Sequence, residues 1–180
     1  MKFEDYIKLA VRTESQFNPI TGIAFTRDER LLHTAMGMVT ESGELIDAIK
    51  KHLFYGKPVD KVNMKEEIGD VCWYVALACD VLGIVPDAVI VGPADVLCQA
   101  MAAVYGSATC LIHSNNEDTV MVSVNQVMGS MFAICENQSF SLGEILDTNI
   151  AKLKSRYPDK FDADKAVNRD LDKERKVLEQ

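Results

Sequence analysis

The chain of 180 residues lacks the features that mark several protein classes. Its five cysteines are odd in number and form no C-x-x-C pair, so neither a disulfide framework nor a zinc knuckle is predicted. Its apolar runs are broken by Asp, Gly or Pro before about 18 residues, so no membrane span is expected. Residues 1–15 carry charges throughout, where a signal peptide has an apolar core. We therefore expect a cytoplasmic protein without a membrane partner.

Basic residues are also in short supply. Lys and Arg number 19 against 27 Asp and Glu, and the net charge of −8 argues against a broad basic surface for nucleic acid. Only three histidines are present, and none lies three residues after a Glu. That spacing is typical of carboxylate-bridged di-iron bundles, so this class is not favoured. An acidic protein that binds phosphates needs metal ions or a local basic cluster.

Alternating strand patterns are scarce, whereas apolar residues recur at helical spacing along most of the chain. The pattern 85–92 is ambiguous and is interpreted as a loop or the start of a helix. The sequence therefore predicts an all-α protein. Its helices are expected at about 3–17, 27–54, 62–82, 94–112, 118–136, 142–156 and 163–178.

Two pairs of acids are the most informative feature that is present. Glu41-x-x-Glu44 and Glu67-x-x-Asp70 lie in adjacent predicted helices, and residues three apart share one face of a helix. Four carboxylates turned toward a helical core need a compensating cation. Oxygen ligands favour a hard divalent ion such as Mg²⁺. The pairs therefore indicate metal-assisted chemistry on phosphates.

Each pair also has an ordinary interpretation, because glutamate is common on solvated helix surfaces. Two pairs on helices joined by a short turn favour a shared site, since such helices pack antiparallel. Asp47 extends the first series at its edge. Glu66 is an alternative to Glu67, because its spacing to Asp70 also fits one face, and spacing does not decide between them.

Basic residues near the C-terminus could bind the phosphates. Asn149, Lys152, Arg156 and Tyr157 fall on one face of a predicted helix. Cations at a helix C-terminus are often simply solvated and favoured by the helix dipole. The functional alternative is a phosphate clamp, in which Lys supplies a point charge and Arg a bidentate fork. Lys51, at the end of the second helix, admits the same two interpretations.

Taken together, these motifs resemble the MazG-like nucleoside triphosphate pyrophosphohydrolases of the all-α NTP pyrophosphatase superfamily. The hallmark of that superfamily is E-x-x-E followed on the next helix by E-x-x-D. The resemblance covers about residues 3–85 and 142–178. The matching segments are 31–33, 37, 41–45, 50–51, 54–57, 66–71, 149–153 and 156–158.

The resemblance implies an antiparallel helix bundle that hydrolyses a nucleoside triphosphate between its α and β phosphates. It implies a single domain over 1–180, with core motifs at 28–85 and 142–160. Residues 93–137 would be an additional helix pair. The cofactor would be Mg²⁺, with Mn²⁺ as a substitute, and the chain would form a homodimer or higher homo-oligomer. A non-catalytic helical dimerisation or regulatory module is the alternative.

The resemblance also assigns roles to individual residues. Glu41, Glu44, Glu67 and Asp70 would be the metal ligands. Glu44 and Glu41 are the candidate catalytic residues, with Glu44 as a candidate general base. The resemblance assigns phosphate binding to Lys152, Arg156 and Tyr157. From their positions in the sequence, Lys51 is a further candidate for phosphate binding, and Asp47, Glu66 and Asn149 are candidates for supporting roles.

Overall fold

The computed structural model describes residues 1–93, 95–158 and 161–179. Over these residues the chain forms α-helices and no strand, apart from an isolated bridge between Phe17 and Ala24. The predicted all-α class is therefore confirmed. Residue 94 of the predicted insertion and residues 159–160 of the predicted second motif lie outside the described residues. The helices are α1 (Phe3–Val11), α2 (Arg27–Tyr55), α3 (Lys61–Leu82), α4 (Val96–Ile112), α5 (Glu117–Gln138), α6 (Leu142–Arg156), α7 (Ala163–Val167) and α8 (Leu171–Leu178).

Local signals set the ends of the two helices that carry the acid pairs. Helix α2 begins with a capping box, in which Thr26 and Glu29 bond each other's backbone N–H groups. It ends at Tyr55, beside the predicted Gly-Lys-Pro stop. Helix α3 begins at the N-cap Asp60, whose carboxylate accepts from two backbone N–H groups. The short connection 56–60 makes α2 and α3 an antiparallel pair.

Two predicted helices are wrong in extent. The first was expected to reach about residue 17, but α1 ends at Val11. Beyond it, Thr13 Oγ1 donates to the Ala10 carbonyl, and the chain then pairs at Phe17 with Ala24. The charged helix expected over 163–178 is two helices, α7 and α8. The break lies at 168–170, where the Asp170 carboxylate accepts from the Lys173 N–H and caps α8.

The helices pack around one core. Helix α2 packs on α3 and α4, α5 packs on α4 and α3, and α6 packs on α3, α1 and α8. The additional helix pair expected at about 93–137 is therefore present as α4 and α5. No helix of the described residues is long and apolar enough to cross a membrane. The largest fully buried apolar side chains are Tyr6, Leu31, Met38, Leu45, Ile68, Leu77, Met128, Met131, Ile134 and Leu146.

Candidate metal and phosphate site

Three of the four predicted metal ligands come together where α2 faces α3. One carboxylate oxygen from each of Glu41, Glu67 and Asp70 lies within 4.8 Å of the others. Glu67 is only 6% exposed, and Glu41 is half-buried. Glu44 lies one helical turn beyond Glu41, on the exposed rim of the same cleft and outside this group of three.

The convergence of these carboxylates changes their acidity. Burial, followed by the charges of Asp70 and Glu44, raises the pKa of Glu41 from 4.5 to about 7. Burial and the charges of Asp70, Glu44, Glu41 and Glu66 raise the pKa of Glu67 from 4.5 to about 8. Both shifts mean that the ionised carboxylates repel one another and lack solvation. A bound cation would relieve that repulsion.

Helix α6 supplies one internal cation to this site. The Lys152 ammonium is 1% exposed and lies 2.6 and 2.7 Å from the two Asp70 oxygens and 3.2 Å from Glu66 Oε1. Burial lowers the pKa of Lys152, but Asp70 and Glu66 raise it further, so the net pKa lies above its ordinary value. Lys152 therefore stays charged and neutralises the Asp70 side of the site.

Asn149 fixes Asp70 from a second direction. Its Nδ2 donates to Asp70 Oδ1 at 2.7 Å, and its Oδ1 accepts from the Tyr6 hydroxyl at 2.7 Å. The approach of α6 to α3 depends on Gly69, because a Cβ there would meet the Asn149 amide at 3.0 Å. Asp70 is thus held by hydrogen bonds, whereas Glu41 and Glu67 receive no comparable cationic partner among the described residues.

The predicted alternatives and supporting residues occupy distinct places. Glu67 joins the carboxylate group, and Glu66 instead contacts Lys152. Asp47 pairs with Lys50 and, at 2.5 Å, with Lys51. Asp47 and Lys51 lie on an outer groove that also includes Glu44 and Glu67, away from the Lys152 side.

The carboxylates open into a cleft of about 540 Å³ that basic residues also line. Arg156 and Tyr157, at the end of α6, line this cleft, and Tyr157 is 4% exposed. The Arg156 guanidinium lies 5.6 Å from the centre of the Tyr157 ring, within cation–π range. The volume is in the range of small-ligand pockets. Acids and cations therefore face one cavity large enough for a small charged molecule.

An aromatic wall formed by His33, Trp73 and Tyr74 also lines the cleft. The His33 ring meets the Tyr74 ring edge-on at 5.5 Å, and Trp73 meets Tyr74 at 4.8 Å. Burial lowers the pKa of His33, which favours the neutral imidazole. A signal was available: Trp73 and Tyr74 follow Asp70 by three and four residues and thus share its helix face.

Arg169 is a further cleft residue that the sequence interpretation missed. It lies in the short connection between α7 and α8 and lines the cleft with the acids. Its guanidinium is 4.0 Å from Glu66 Oε1 and 2.8 Å from Glu174 Oε2. No spacing in the sequence indicated it, because Arg169 and its contact Glu66 lie more than 100 positions apart in the chain.

The donor set fits a hard divalent cation. Three carboxylates can converge on one ion, and all donors are oxygens. The pKa values of Glu41 and Glu67 are raised, so the described side chains, Lys152 among them, compensate the negative charge only in part. Mg²⁺ and Mn²⁺ prefer such ligands, whereas zinc and copper sites favour nitrogen or sulfur. Glu41, Glu67 and Asp70 are thus the residues that would hold such an ion.

Comparison with known proteins agrees with this geometry. The family model of the MazG nucleotide pyrophosphohydrolase domain matches residues 30–90, which span α2, α3 and the connection after them. No curated protein and no solved structure matches the chain. The matched segment contains the three converging carboxylates and Glu44. The resemblance to the MazG-like nucleoside triphosphate pyrophosphohydrolases is thus confirmed over residues 30–90, which match the model of that domain.

Proposed function

We propose that this protein is a Mg²⁺-dependent nucleoside triphosphate pyrophosphohydrolase. It would cleave an NTP or dNTP between the α and β phosphates and release a nucleoside monophosphate and pyrophosphate. The observation that carries the proposal is the single cleft in which Glu41, Glu67 and Asp70 converge beside Arg156 and Arg169. Such a cleft can bind metal and phosphate at the same time. Mn²⁺ is expected to substitute for Mg²⁺, because both prefer oxygen ligands.

The three converging carboxylates of the cleft would bind the cation. Glu41, Glu67 and Asp70 hold it through carboxylate oxygens, while Asn149 and Lys152 keep Asp70 in place. Bound there, Mg²⁺ would neutralise phosphate charge and acidify a water molecule.

Glu44 is suited to accept the proton of the attacking water. It lies on the rim outside the three-carboxylate group, so its carboxylate is not committed to the cation. Its exposed side chain lines the cleft, where a water could bridge it to the substrate. The water oxygen would form a bond to the α-phosphorus, and the bond from that phosphorus to the α–β bridging oxygen would break, so that pyrophosphate leaves. One proton of the water would pass to Glu44.

The basic residues of the cleft would stabilise the leaving group. Arg156 lines the cleft and can offer N–H donors to pyrophosphate oxygens as negative charge develops there. Tyr157 packs beside it and limits where its guanidinium can lie. Lys152 would act mainly through Asp70, because its ammonium is buried and already bonded to that carboxylate. Lys51, on the outer groove, is a more distant phosphate contact.

The test is pyrophosphate release from a panel of NTPs and dNTPs with Mg²⁺. We expect the wild type to release pyrophosphate and monophosphate in equal amounts from at least one nucleotide. Glu44→Gln should lower kcat by about a hundredfold or more, the range for loss of a general base. Its Mg²⁺ affinity should change little. Glu67→Gln should weaken Mg²⁺ binding as well as turnover.

A matched control is Glu136→Gln on α5, since this exposed acid lies outside the cleft. Its activity should equal that of the wild type. Equal pyrophosphate release by all three variants, or none by the wild type, would contradict the proposal. The second result would favour the non-catalytic helical module.

A further inference from the structure

The C-terminal helix α8 contains a buried glutamate that its composition does not explain. Glu174 is 4% exposed, although α8 is otherwise rich in exposed charged residues. Isolated burial of a carboxylate is costly. Helix α8 packs on α6, and Lys173 Nζ donates to the Ser155 carbonyl at 3.2 Å, which ties the two helices together. The position of Glu174 is therefore fixed against the end of α6.

Two arginines compensate this carboxylate. Arg156 donates to both Glu174 oxygens, at 2.7 and 2.6 Å, and Arg169 donates to Oε2 at 2.8 and 3.2 Å. Burial raises the pKa of Glu174, but the hydrogen bonds from Arg156 and Arg169 lower it further, so the net shift is downward. Glu174 thus stays ionised and is shared by two guanidinium groups.

This carboxylate lies outside the lining of the cleft, whereas its two arginine partners belong to it. Arg156 and Arg169 both line the cleft that contains the metal-binding carboxylates. Glu174 is not part of that lining and instead lines a neighbouring groove, to which Arg156, Asn168 and Lys173 also belong. Two positive groups therefore share one carboxylate that lies outside the cleft lining, so Glu174 alone does not neutralise both. Glu66, in the cleft, is a further acid beside Arg169. Arg169 is 38% exposed and retains donors that its partners do not use.

A series of alternating charges connects this basic pair to the acids. Lys152 bridges Asp70 and Glu66, and Arg169 lies between Glu66 and Glu174. The cleft is consequently lined by both signs of charge, with guanidinium groups beside carboxylates. A substrate that carries both a cation and a phosphate chain matches this mixture of charges.

We propose that Arg169 is a second phosphate-binding arginine, which contacts the pyrophosphate end of the nucleotide, and that Glu174 is the positioning residue that aims Arg156 and Arg169 at it. The C-terminal segment 161–179 thereby completes the substrate site. This inference rests on the proposed function. The inference requires the bidentate geometry of arginine, because two guanidinium groups on one phosphate chain fix the orientation of the chain as well as balance its charge.

The test compares Arg169→Ala, Arg169→Lys and Glu174→Gln with the wild type. Inorganic pyrophosphate with Mg²⁺ serves as the probe in isothermal titration, beside KM and kcat for the best nucleotide. Loss of one charge-assisted contact should weaken pyrophosphate binding and raise KM by about tenfold in Arg169→Ala. Arg169→Lys should recover only part of this. Glu174→Gln should raise KM through both arginines, while Mg²⁺ affinity stays at the wild-type value.

Arg175→Ala is the matched control. Arg175 lies on α8, as Glu174 does, and pairs with Asp60 and Glu179 outside the cleft. Its KM and pyrophosphate affinity should not change. Wild-type values in Arg169→Ala would overturn the inference. So would a Glu174→Gln defect confined to thermal stability.

The two proposals can fail separately. An active wild type with an unaffected Arg169→Ala variant overturns this inference alone. A wild type that binds pyrophosphate through Arg169 but hydrolyses no nucleotide overturns the proposed function alone. A wild type that neither hydrolyses nucleotides nor binds pyrophosphate overturns both.

Discussion

Glu67 is the carboxylate whose ionisation costs most at this site. It is almost fully buried, lies beside Glu41 and Asp70, and has its pKa raised to about 8. A folded-state pKa above the unfolded value means that the folded protein holds the proton more tightly. Between about pH 4.5 and pH 8 the metal-free folded state therefore binds more protons than the unfolded state. Its free energy of unfolding should fall as pH rises through this window.

Glu67→Gln should remove this pH dependence in the absence of metal. At pH 8.5 in EDTA we expect the variant to exceed the wild type in free energy of unfolding by about 1–4 kcal/mol, since each pKa unit corresponds to about 1.4 kcal/mol. At pH 5 the difference should be small, because a protonated Glu67 resembles Gln. Denaturant unfolding at the two pH values measures it. Glu136→Gln, which neutralises an exposed acid, should show no such pH dependence.

The sequence predicted which acids share a helix face, but not which of Glu66 and Glu67 joins them. Both residues lie within one turn of Asp70, so helical spacing allows either. The rotation of α3 about its axis decides the matter, and that rotation depends on how α3 packs against α1, α2, α5 and α6. Such contacts are long-range and are not encoded in local spacing. The same reason explains why Arg169 was missed.

At the scale of elements, α2 presents a face on which His33, Gly37 and Glu41 recur every four residues. The Tyr74 ring from α3 lies against α2 at Gly37, where an added Cβ would overlap the ring. His33 and Trp73 contact the same ring edge-on, so it has little freedom to move aside. Gly37 therefore lets the aromatic wall form one turn before Glu41, the first of the three converging carboxylates.

Gly37→Ala should destabilise the protein by about 1–3 kcal/mol, the usual cost of overpacking a core. It should also displace Tyr74 and raise KM for the nucleotide. Gly43→Ala on the same helix is the matched control for stability, because nothing lies within 4 Å of an added Cβ there. That variant should gain up to about 1 kcal/mol from helix propensity. Thermal unfolding of both variants measures the contrast, and equal effects would contradict this role of Gly37.

The elements were predicted best where capping and apolar spacing agree. Helix α6 has the predicted bounds 142–156, and α2 ends one residue beyond the prediction. Helix α1 is shorter than expected because its apolar pattern continues into a segment that pairs Phe17 with Ala24. The break between α7 and α8 escaped prediction because charged residues on both sides are good helix formers.

At the scale of the whole molecule, the cleft draws residues from α2, α3, the end of α6 and the segment around Arg169. An acidic chain with a net charge of −8 repels a free triphosphate. For substrate binding, the local arrangement of charges in the cleft therefore matters more than the net charge of the chain. Helices α4 and α5 cover part of the α2–α3 pair and contribute no acid to the carboxylate group. The homodimer or higher homo-oligomer that the resemblance implies stays a prediction.

Binding of the cation should change the free energy of unfolding of the whole molecule. Mg²⁺ binds the ionised carboxylates, so it competes with protons at Glu41 and Glu67 and should stabilise the fold more at pH 8.5 than at pH 5. At a hundred times its dissociation constant a ligand adds about 2.7 kcal/mol to the free energy of unfolding. Glu67→Gln loses a ligand and should gain less.

Thermal unfolding with EDTA or Mg²⁺ at pH 8.5 should therefore show that Mg²⁺ narrows the difference between the two proteins, and reverses their order once the extra stabilisation of the wild type exceeds its deficit without metal. Without metal Glu67→Gln unfolds at the higher temperature, because it is free of the repulsion among the carboxylates. With Mg²⁺ the unfolding temperature of the wild type rises by more than that of the variant, because all three of its carboxylates can bind the cation. An equal shift in both proteins would place the cation elsewhere. No shift in the wild type would mean that the three carboxylates hold no Mg²⁺ without substrate.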